Sequence, residues 1–197
     1  MKEVIIATKN KGKVKEFEHI FKPLGIVVKS LLDLDERIEI EENGATFEEN
    51  ALIKAREIAN TFNVLVIADD SGLEVDALDG RPGVYSARYA GIGRNDMDNM
   101  NKVLSELKGV EFNKRTARFV CALSIVTPEG KEYVVRGECE GLITTEPTGD
   151  EGFGYDPIFY LPSKDKTMAQ IPKAEKNVLS HRAEAFKKLE GILKELG

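Results

Sequence analysis

Two adjacent carboxylates, Asp69 and Asp70, follow the most apolar run of the chain, Val64-Leu65-Val66-Ile67-Ala68, and precede Ser71 and Gly72. Such a run reads as a buried strand, expected to end on the carboxylates. Open α/β sheets take ligands beyond the carboxyl ends of their strands. Paired carboxylate oxygens there suit Mg²⁺, which prefers oxygen and keeps several waters. One of the pair can also serve as base toward an activated water. The plainer alternative is a turn capped by Asp and Ser.

Four further segments carry chemistry by residue type. Thr8-Lys9-Asn10-Lys11-Gly12-Lys13 lies between a predicted strand and a predicted helix. Free backbone N–H groups and the positive helix end there suit phosphate, and the lysines add charge, although their alternation prevents all three from pointing inward. The Walker pattern is absent, and a solvated lysine-rich turn is the alternative. Glu39-Ile40-Glu41-Glu42-Asn43 is an acidic run that reads as a solvated face unless it folds beside Asp70. In Gly149–Phe159, Phe153 sits between glycines and is followed by Tyr155 and Asp156. Exposed rings on a flexible loop can stack on a flat ligand, and the neighbouring carboxylate can accept from ring N–H groups. The same rings could instead anchor the loop to the core. In the last segment, Ser180 caps a helix whose first turn holds His181 and Arg182. Cations there oppose the helix dipole, a local conflict of the kind that marks function.

The elements that must position these groups are readable from periodicity. A strand over Val4–Ala7 is followed by a helix with Val14, Phe17, Ile20 and Phe21 on one face, closed by Pro23 and Gly25, and by a second strand at Ile26–Val28. Leu31–Gly44 reads as a loop or short strand. Thr46-Phe47-Glu48-Glu49 forms a capping box opening a helix through Ala51, Leu52, Ala55 and Ile58. A further helix spans about Asp96–Leu107. Strands Thr116–Val126 and Lys131–Glu140, joined by Thr127-Pro128-Glu129-Gly130, form a hairpin. Glu146–Asp156 is a loop. The last helix starts at Ser180 and turns Ala183, Phe186, Leu189, Ile192, Leu193 and Leu196 to a core. Helices alternating with strands, then a hairpin, predict an α/β fold with a mixed sheet.

Composition bounds the partners. The chain has 197 residues, enough for a continuous core, with 42% hydrophobic and 31% charged residues. Two cysteines and two histidines argue against a disulfide scaffold and a zinc site. The N-terminal apolar run is too short for a signal peptide or a membrane span, so the expected location is the cytoplasm, with no membrane partner. A net charge of −6 argues against a nucleic-acid polymer as partner.

Taken together, Thr8-x-Asn10-x-x-Lys13, Asp69-Asp70-Ser71-Gly72-Leu73, Gly80-x-Pro82-Gly83-x-Tyr85-Ser86-Ala87-Arg88, Phe153-Gly154-Tyr155-Asp156-Pro157 and Ser180-His181-Arg182, in that order, closely resemble the inosine triphosphate pyrophosphatase family. The resemblance runs from residue 4 to the last helix. It implies a single catalytic domain over 1–197 with two lobes, built on a long mixed β-sheet flanked by helices, with a nucleotide cleft between the lobes and a homodimer as the usual state. It also implies hydrolysis of the deaminated purine triphosphates ITP, dITP and XTP to the monophosphate and pyrophosphate.

Carried onto these residues, the resemblance gives Thr8, Asn10 and Lys13 to the triphosphate, within the Thr8–Lys13 segment whose Lys9, Lys11 and Gly12 complete the phosphate turn. It makes Asp70 the proton acceptor and a Mg²⁺ ligand, with Mn²⁺ also acceptable to oxygen ligands. Ser71 touches substrate. Phe153, Gly154, Tyr155 and Asp156 stack on and line the base, and Lys176, His181 and Arg182 complete the pocket. Glu41 is the expected second metal ligand, with Glu42 adjacent as the alternative. Two other functions compete: a pyrophosphatase for another modified nucleotide, and a nucleotide sensor without catalysis.

Overall fold

The computed structural model describes residues 3–34, 40–93 and 95–196, the side chain of Leu196 excepted. Glu39 of the acidic run, residues 35–39 of the expected Leu31–Gly44 loop and the side chain of Leu196, expected to face a core, therefore lie outside what is described. The strands are β1 (Glu3–Ile6), β2 (Val27–Ser30), β3 (Val66–Val75), β4 (Thr116–Val126), β5 (Glu132–Ile143), β6 (Phe159–Leu161) and β7 (Lys166–Thr167). The helices are α1 (Lys11–Phe21), α2 (Phe47–Phe62), α3 (Asp96–Glu106), α4 (Lys173–Leu179) and α5 (His181–Leu196). Among the described residues the strands form one sheet in the order β2-β1-β3-β4-β5-β6-β7. It is mixed: β1 pairs in parallel with β2 and β3, whereas β6 is antiparallel to both β5 and β7. Among the described residues, no helix is long and apolar enough to cross a membrane.

By internal contacts the chain falls into two compact units. The first comprises Met1–Asp70, Ala122–Arg136 and Phe186–Gly197. Its core sets Ile5, Val66 and Ala68 of the sheet, with Ala7 just beyond β1, against Ala55, Ile58 and Ala59 of α2. Helix α1 buries Phe17 and Phe21, as its periodicity predicts, and Phe17 meets Phe186 edge-on at 4.9 Å between ring centroids. The second unit comprises Ser71–Cys121 and Gly137–Ala185. Here Leu73, Val75, Val103, Leu107, Phe119 and Phe159 share a core. Burying such side chains stabilises each core by roughly 1.5–3 kcal/mol per large apolar residue. Cys121 and Cys139 are buried and unbridged.

Two expectations need correction. The strand begun at Val66 does not end on the carboxylates but runs on to Val75. Its second half keeps hydrogen-bond partners, since Leu73 N–H donates to Ser86 Oγ at 2.9 Å and Val75 N–H to the Arg81 carbonyl at 3.2 Å. Leu73 and Val75 also alternate inward, as a strand requires. Asp69 and Asp70 thus sit in mid-strand, with extended backbone on either side. The capping box at α2 is half formed. Thr46 Oγ1 accepts from Glu49 N–H at 3.1 Å, but the Glu49 carboxylate reaches past Thr46 to Ala45 N–H at 2.6 Å. Helix α4 was not foreseen. Its seven residues are too few to express an apolar stripe.

Candidate active site

The first unit carries the phosphate-type loop and the carboxylates. Thr8 is buried at the end of β1 and its Oγ1 accepts from Asn10 N–H at 3.2 Å. Asn10 is the N-cap of α1: its Oδ1 accepts from Gly12 N–H at 2.9 Å and from Lys13 N–H at 3.2 Å. The side chain of Asn10 thereby takes up two of the helix-end donors that a phosphate would use. The lysines separate as their alternation requires. Lys9 and Lys11 are exposed, whereas the half-buried Lys13 turns inward and pairs with Asp69. Asp69 is only 2% exposed, so this ion pair supplies the partner a buried carboxylate needs.

Asp70, the next residue along β3, has a different environment. Its Oδ2 accepts from Asn50 Nδ2 at 3.1 Å, and Lys54 Nζ stands 4.0 Å from Oδ1. The same Lys54 donates to Glu42 at 3.2 Å. Burial lifts the Asp70 carboxyl to about 6; Lys54 opposes the rise, Glu42 adds to it, Asn50 opposes it and Asp69 adds to it. The two adjacent carboxylates therefore divide: one is neutralised by a lysine, the other is strained toward holding a proton. Of the acidic run, Glu42 is the member joined through Lys54 to Asp70, while Glu41 is exposed. Ser71 follows in the strand, half-buried.

Oxygen ligands in a crowded negative environment fit a hard divalent cation. Among the described residues no three His, Cys, Asp or Glu side chains converge as a ready-made metal cage. A site of one or two carboxylates completed by water and substrate phosphate is the form Mg²⁺ takes.

The second unit carries the aromatic and cationic set. Phe153 is 65% exposed, as a stacking platform must be. Tyr155 takes the other of the two readings open for these rings. It is buried in the core and its hydroxyl donates to the Ser86 carbonyl at 2.7 Å, so it anchors the loop. Gly154 N–H donates to Asp96 at 2.8 Å, tying the loop to the first turn of α3. Asp156 is buried, accepts from Phe153 N–H at 3.0 Å and pairs with Lys176. Lys176 Nζ in turn lies 5.3 Å from the centre of the Phe153 ring, within cation–π range. Phe153, Asp156 and Lys176 thus form one cluster although twenty or more residues separate Lys176 from the other two.

His181 and Arg182 open α5, with Ser180 as its cap: Ser180 Oγ accepts from Ala183 N–H at 3.2 Å. The His181 ring stacks on Phe119, 5.2 Å between centroids, and Arg182 is half-buried. This first turn lies against β5 at Gly137, where a Cβ would overlap the His181 carbonyl oxygen and the Ala185 nitrogen. Gly137 is the residue that admits the helix start, and sequence reading missed it because a glycine inside a strand pattern signals close approach without saying of what. Asn50 and Lys54 were missed as well. They sit four apart on α2, and the available signal was an Asn placed among the buried Phe47, Ala51 and Ala55.

The comparisons with known proteins agree with one another. A sequence profile of the Ham1 family matches residues 4–192. The dITP/XTP pyrophosphatase of Bacillus licheniformis is 58% identical over 193 residues, 98% of each chain. That of Listeria monocytogenes serotype 4b is 56% identical over 196 residues, covering 100% of this chain and 97% of its own. The solved structure of the Staphylococcus aureus Ham1 protein superposes with a TM-score of 0.93 at 44% identity, covering 100% of both chains.

Proposed function

The chain belongs to the Ham1 family, and from that premise we propose that it hydrolyses deaminated purine nucleoside triphosphates, dITP, ITP and XTP, to the monophosphate and pyrophosphate. The enzyme is a nucleoside-triphosphate pyrophosphatase. The observation that carries the reaction is the buried Asp70, held by Asn50 and Lys54 and shifted by burial to about 6. A carboxylate with a raised pKa is a better proton acceptor near neutrality than an ordinary one.

In this reading water attacks the α-phosphorus, its proton passes to an Asp70 oxygen, and the bond from the α-phosphorus to the bridging oxygen breaks. Pyrophosphate leaves with that oxygen. Mg²⁺, with Mn²⁺ as a substitute, would supply charge neutralisation on the phosphates when bound. Asp70 and Glu42 would hold it, Glu42 being favoured over Glu41 by its shared tie to Lys54. Lys13, Asn10 and Thr8 bind phosphate oxygens, and for this Lys13 exchanges part of its bond to Asp69 for the substrate. Ser71 lies next to the reacting carboxylate in sequence and contacts the substrate.

On the base, the exposed Phe153 ring stacks and Lys176, held by Asp156, donates. His181 and Arg182 donate to the 6-oxo oxygen that distinguishes hypoxanthine and xanthine from adenine. An amino group at C6 leaves such donors unmatched, which costs selectivity factors of roughly 10⁴ or more at sites built on hydrogen bonds. The enzyme acts on the free nucleotide pool of the cytoplasm and works as a homodimer, the state the family resemblance implies.

The test is pyrophosphate release from dITP, ITP, XTP, GTP, ATP and dTTP, each with Mg²⁺ and with EDTA. Metal-dependent release confined to the first three supports the reading. Equal release from all six removes the base assignment, and release in EDTA removes the metal. Sedimentation at micromolar concentration, giving the mass of two chains or of one, decides the oligomeric state.

A further inference from the structure

Asn50 is buried, 2% exposed, on a helix face otherwise made of Phe47, Ala51, Ala55 and Ile58. A carboxamide in that position needs partners for both ends, and it has two of opposite kind. Its Oδ1 accepts from Gly44 N–H at 2.8 Å, and its Nδ2 donates to Asp70 Oδ2 at 3.1 Å. This assignment of oxygen and nitrogen follows from the partners, since a backbone N–H demands an acceptor and a carboxylate demands a donor.

The approach at Gly44 is close. A Cβ there would stand 2.7 Å from Asn50 Oδ1 and 2.8 Å from Glu49 Cβ, so only glycine lets the 42–44 segment settle on the amide. Glu42, two residues earlier, shares Lys54 with Asp70. The amide thus fastens the acidic segment to the catalytic carboxylate from one side while Lys54 does so from the other.

We propose that Asn50 is a positioning residue for the hydrolysis: its carboxamide ties the 42–44 segment to Asp70, so that Glu42 and Asp70 are held as one unit. The proposal rests on the reading of Asp70 as proton acceptor and goes beyond it to a buried residue of α2. Oδ2 is engaged by the amide, and Oδ1 faces Lys54 Nζ at 4.0 Å. Asp at position 50 keeps the acceptor for Gly44 and loses the donor to Asp70. Ala at position 44 keeps Asn50 and pushes the segment off it. The two ends of the amide can therefore be tested separately.

The experiment measures kcat and KM with dITP and Mg²⁺, and amide hydrogen exchange without metal, for the parent, Asn50→Asp, Asn50→Ala and Gly44→Ala. Removing such supporting hydrogen bonds costs about 10–100-fold in activity. That loss is expected in kcat for all three variants, with KM within roughly threefold because the amide is buried, 2% exposed. Gly44 N–H is expected to stay protected in Asn50→Asp and to lose protection in Asn50→Ala, while the amides of α2 and β3 keep theirs. Parent-like kcat in Asn50→Asp or in Gly44→Ala overturns the proposal. So does a loss accompanied by general deprotection of α2, which would make Asn50 a folding residue only. If the parent itself releases no pyrophosphate, the activity reading fails instead, and exchange at Gly44 in Asn50→Ala still decides whether the tie exists.

Discussion

At the scale of residues, the proposed chemistry rests on the unequal treatment of two neighbouring carboxylates. Asp69 faces a lysine of α1 and Asp70 an amide and a lysine of α2. The adjacency of the pair was legible in the sequence, but the division was not, because each partner arrives from a helix far along the chain. Asp70→Asn is expected to lower kcat by about 10²–10⁴-fold, the usual worth of a general base, with nucleotide binding retained in equilibrium titrations. Near-parent turnover would take the proton-accepting role from Asp70. A second consequence concerns stability in EDTA. The Asp70 carboxyl sits at about 6 when folded against an ordinary value of 3.8. Between those values the folded chain holds a proton that the unfolded chain releases, so stability falls as pH rises from about 4 to about 6 and stays low above. Asn cannot titrate and still accepts from Asn50. In denaturant titrations the variant is therefore expected to exceed the parent by up to about 3 kcal/mol at pH 8 and to match it at pH 4. Equal stabilities at pH 8 would mean that the buried carboxylate carries no such penalty.

At the scale of elements, most of the fold could be read directly. The periodicity of Phe17 and Phe21 gave α1, the Thr46 cap gave the start of α2, and the alternating residues of 116–126 gave β4 to the residue. The strand through Asp69-Asp70-Ser71-Gly72 was read short because those residue types favour turns. Pairing across the sheet and the Ser86 hydroxyl keep it extended. What no local pattern shows is a close approach between elements. Gly137 illustrates this: its missing side chain is where the first turn of α5 lies on β5. Gly137→Ala is expected to cost about 1–3 kcal/mol through overpacking and to shift the turn that carries His181 and Arg182. The kcat/KM ratio of XTP over ATP should fall, whereas Ala at an exposed glycine such as Gly93 should leave that ratio alone. An unchanged ratio in Gly137→Ala would separate the helix start from base selection. The cap at α2 offers a smaller check, since Thr46→Ala should cost about 1 kcal/mol in denaturant unfolding without altering the ratio.

At the scale of the whole molecule, the two chemical sets belong to different compact units. The Thr8–Lys13 loop, Asp69, Asp70, Asn50 and Lys54 lie in one, and Phe153, Asp156, Lys176, His181 and Arg182 in the other. The order of these motifs along the chain was enough to recognise the family, yet the units themselves interleave in sequence and could not be drawn from it, because β3, β4 and β5 each contribute residues to both. The separation has a kinetic consequence. Interactions with the base act on the difference between nucleotides, whereas interactions at the reacting phosphorus act on all of them alike. Asp70→Asn should therefore divide kcat by the same factor for XTP, dITP and ITP. Arg182→Gln, which keeps a donor but loses the charged fork, should lower kcat/KM for XTP and dITP by about 10-fold or more, the worth of one charge-assisted hydrogen bond, and leave ATP nearly where it was. The double variant should then show the product of the two single losses. A loss in Arg182→Gln that is equal for XTP and ATP would move Arg182 from the base to the phosphates, since charge on the triphosphate is common to every nucleotide.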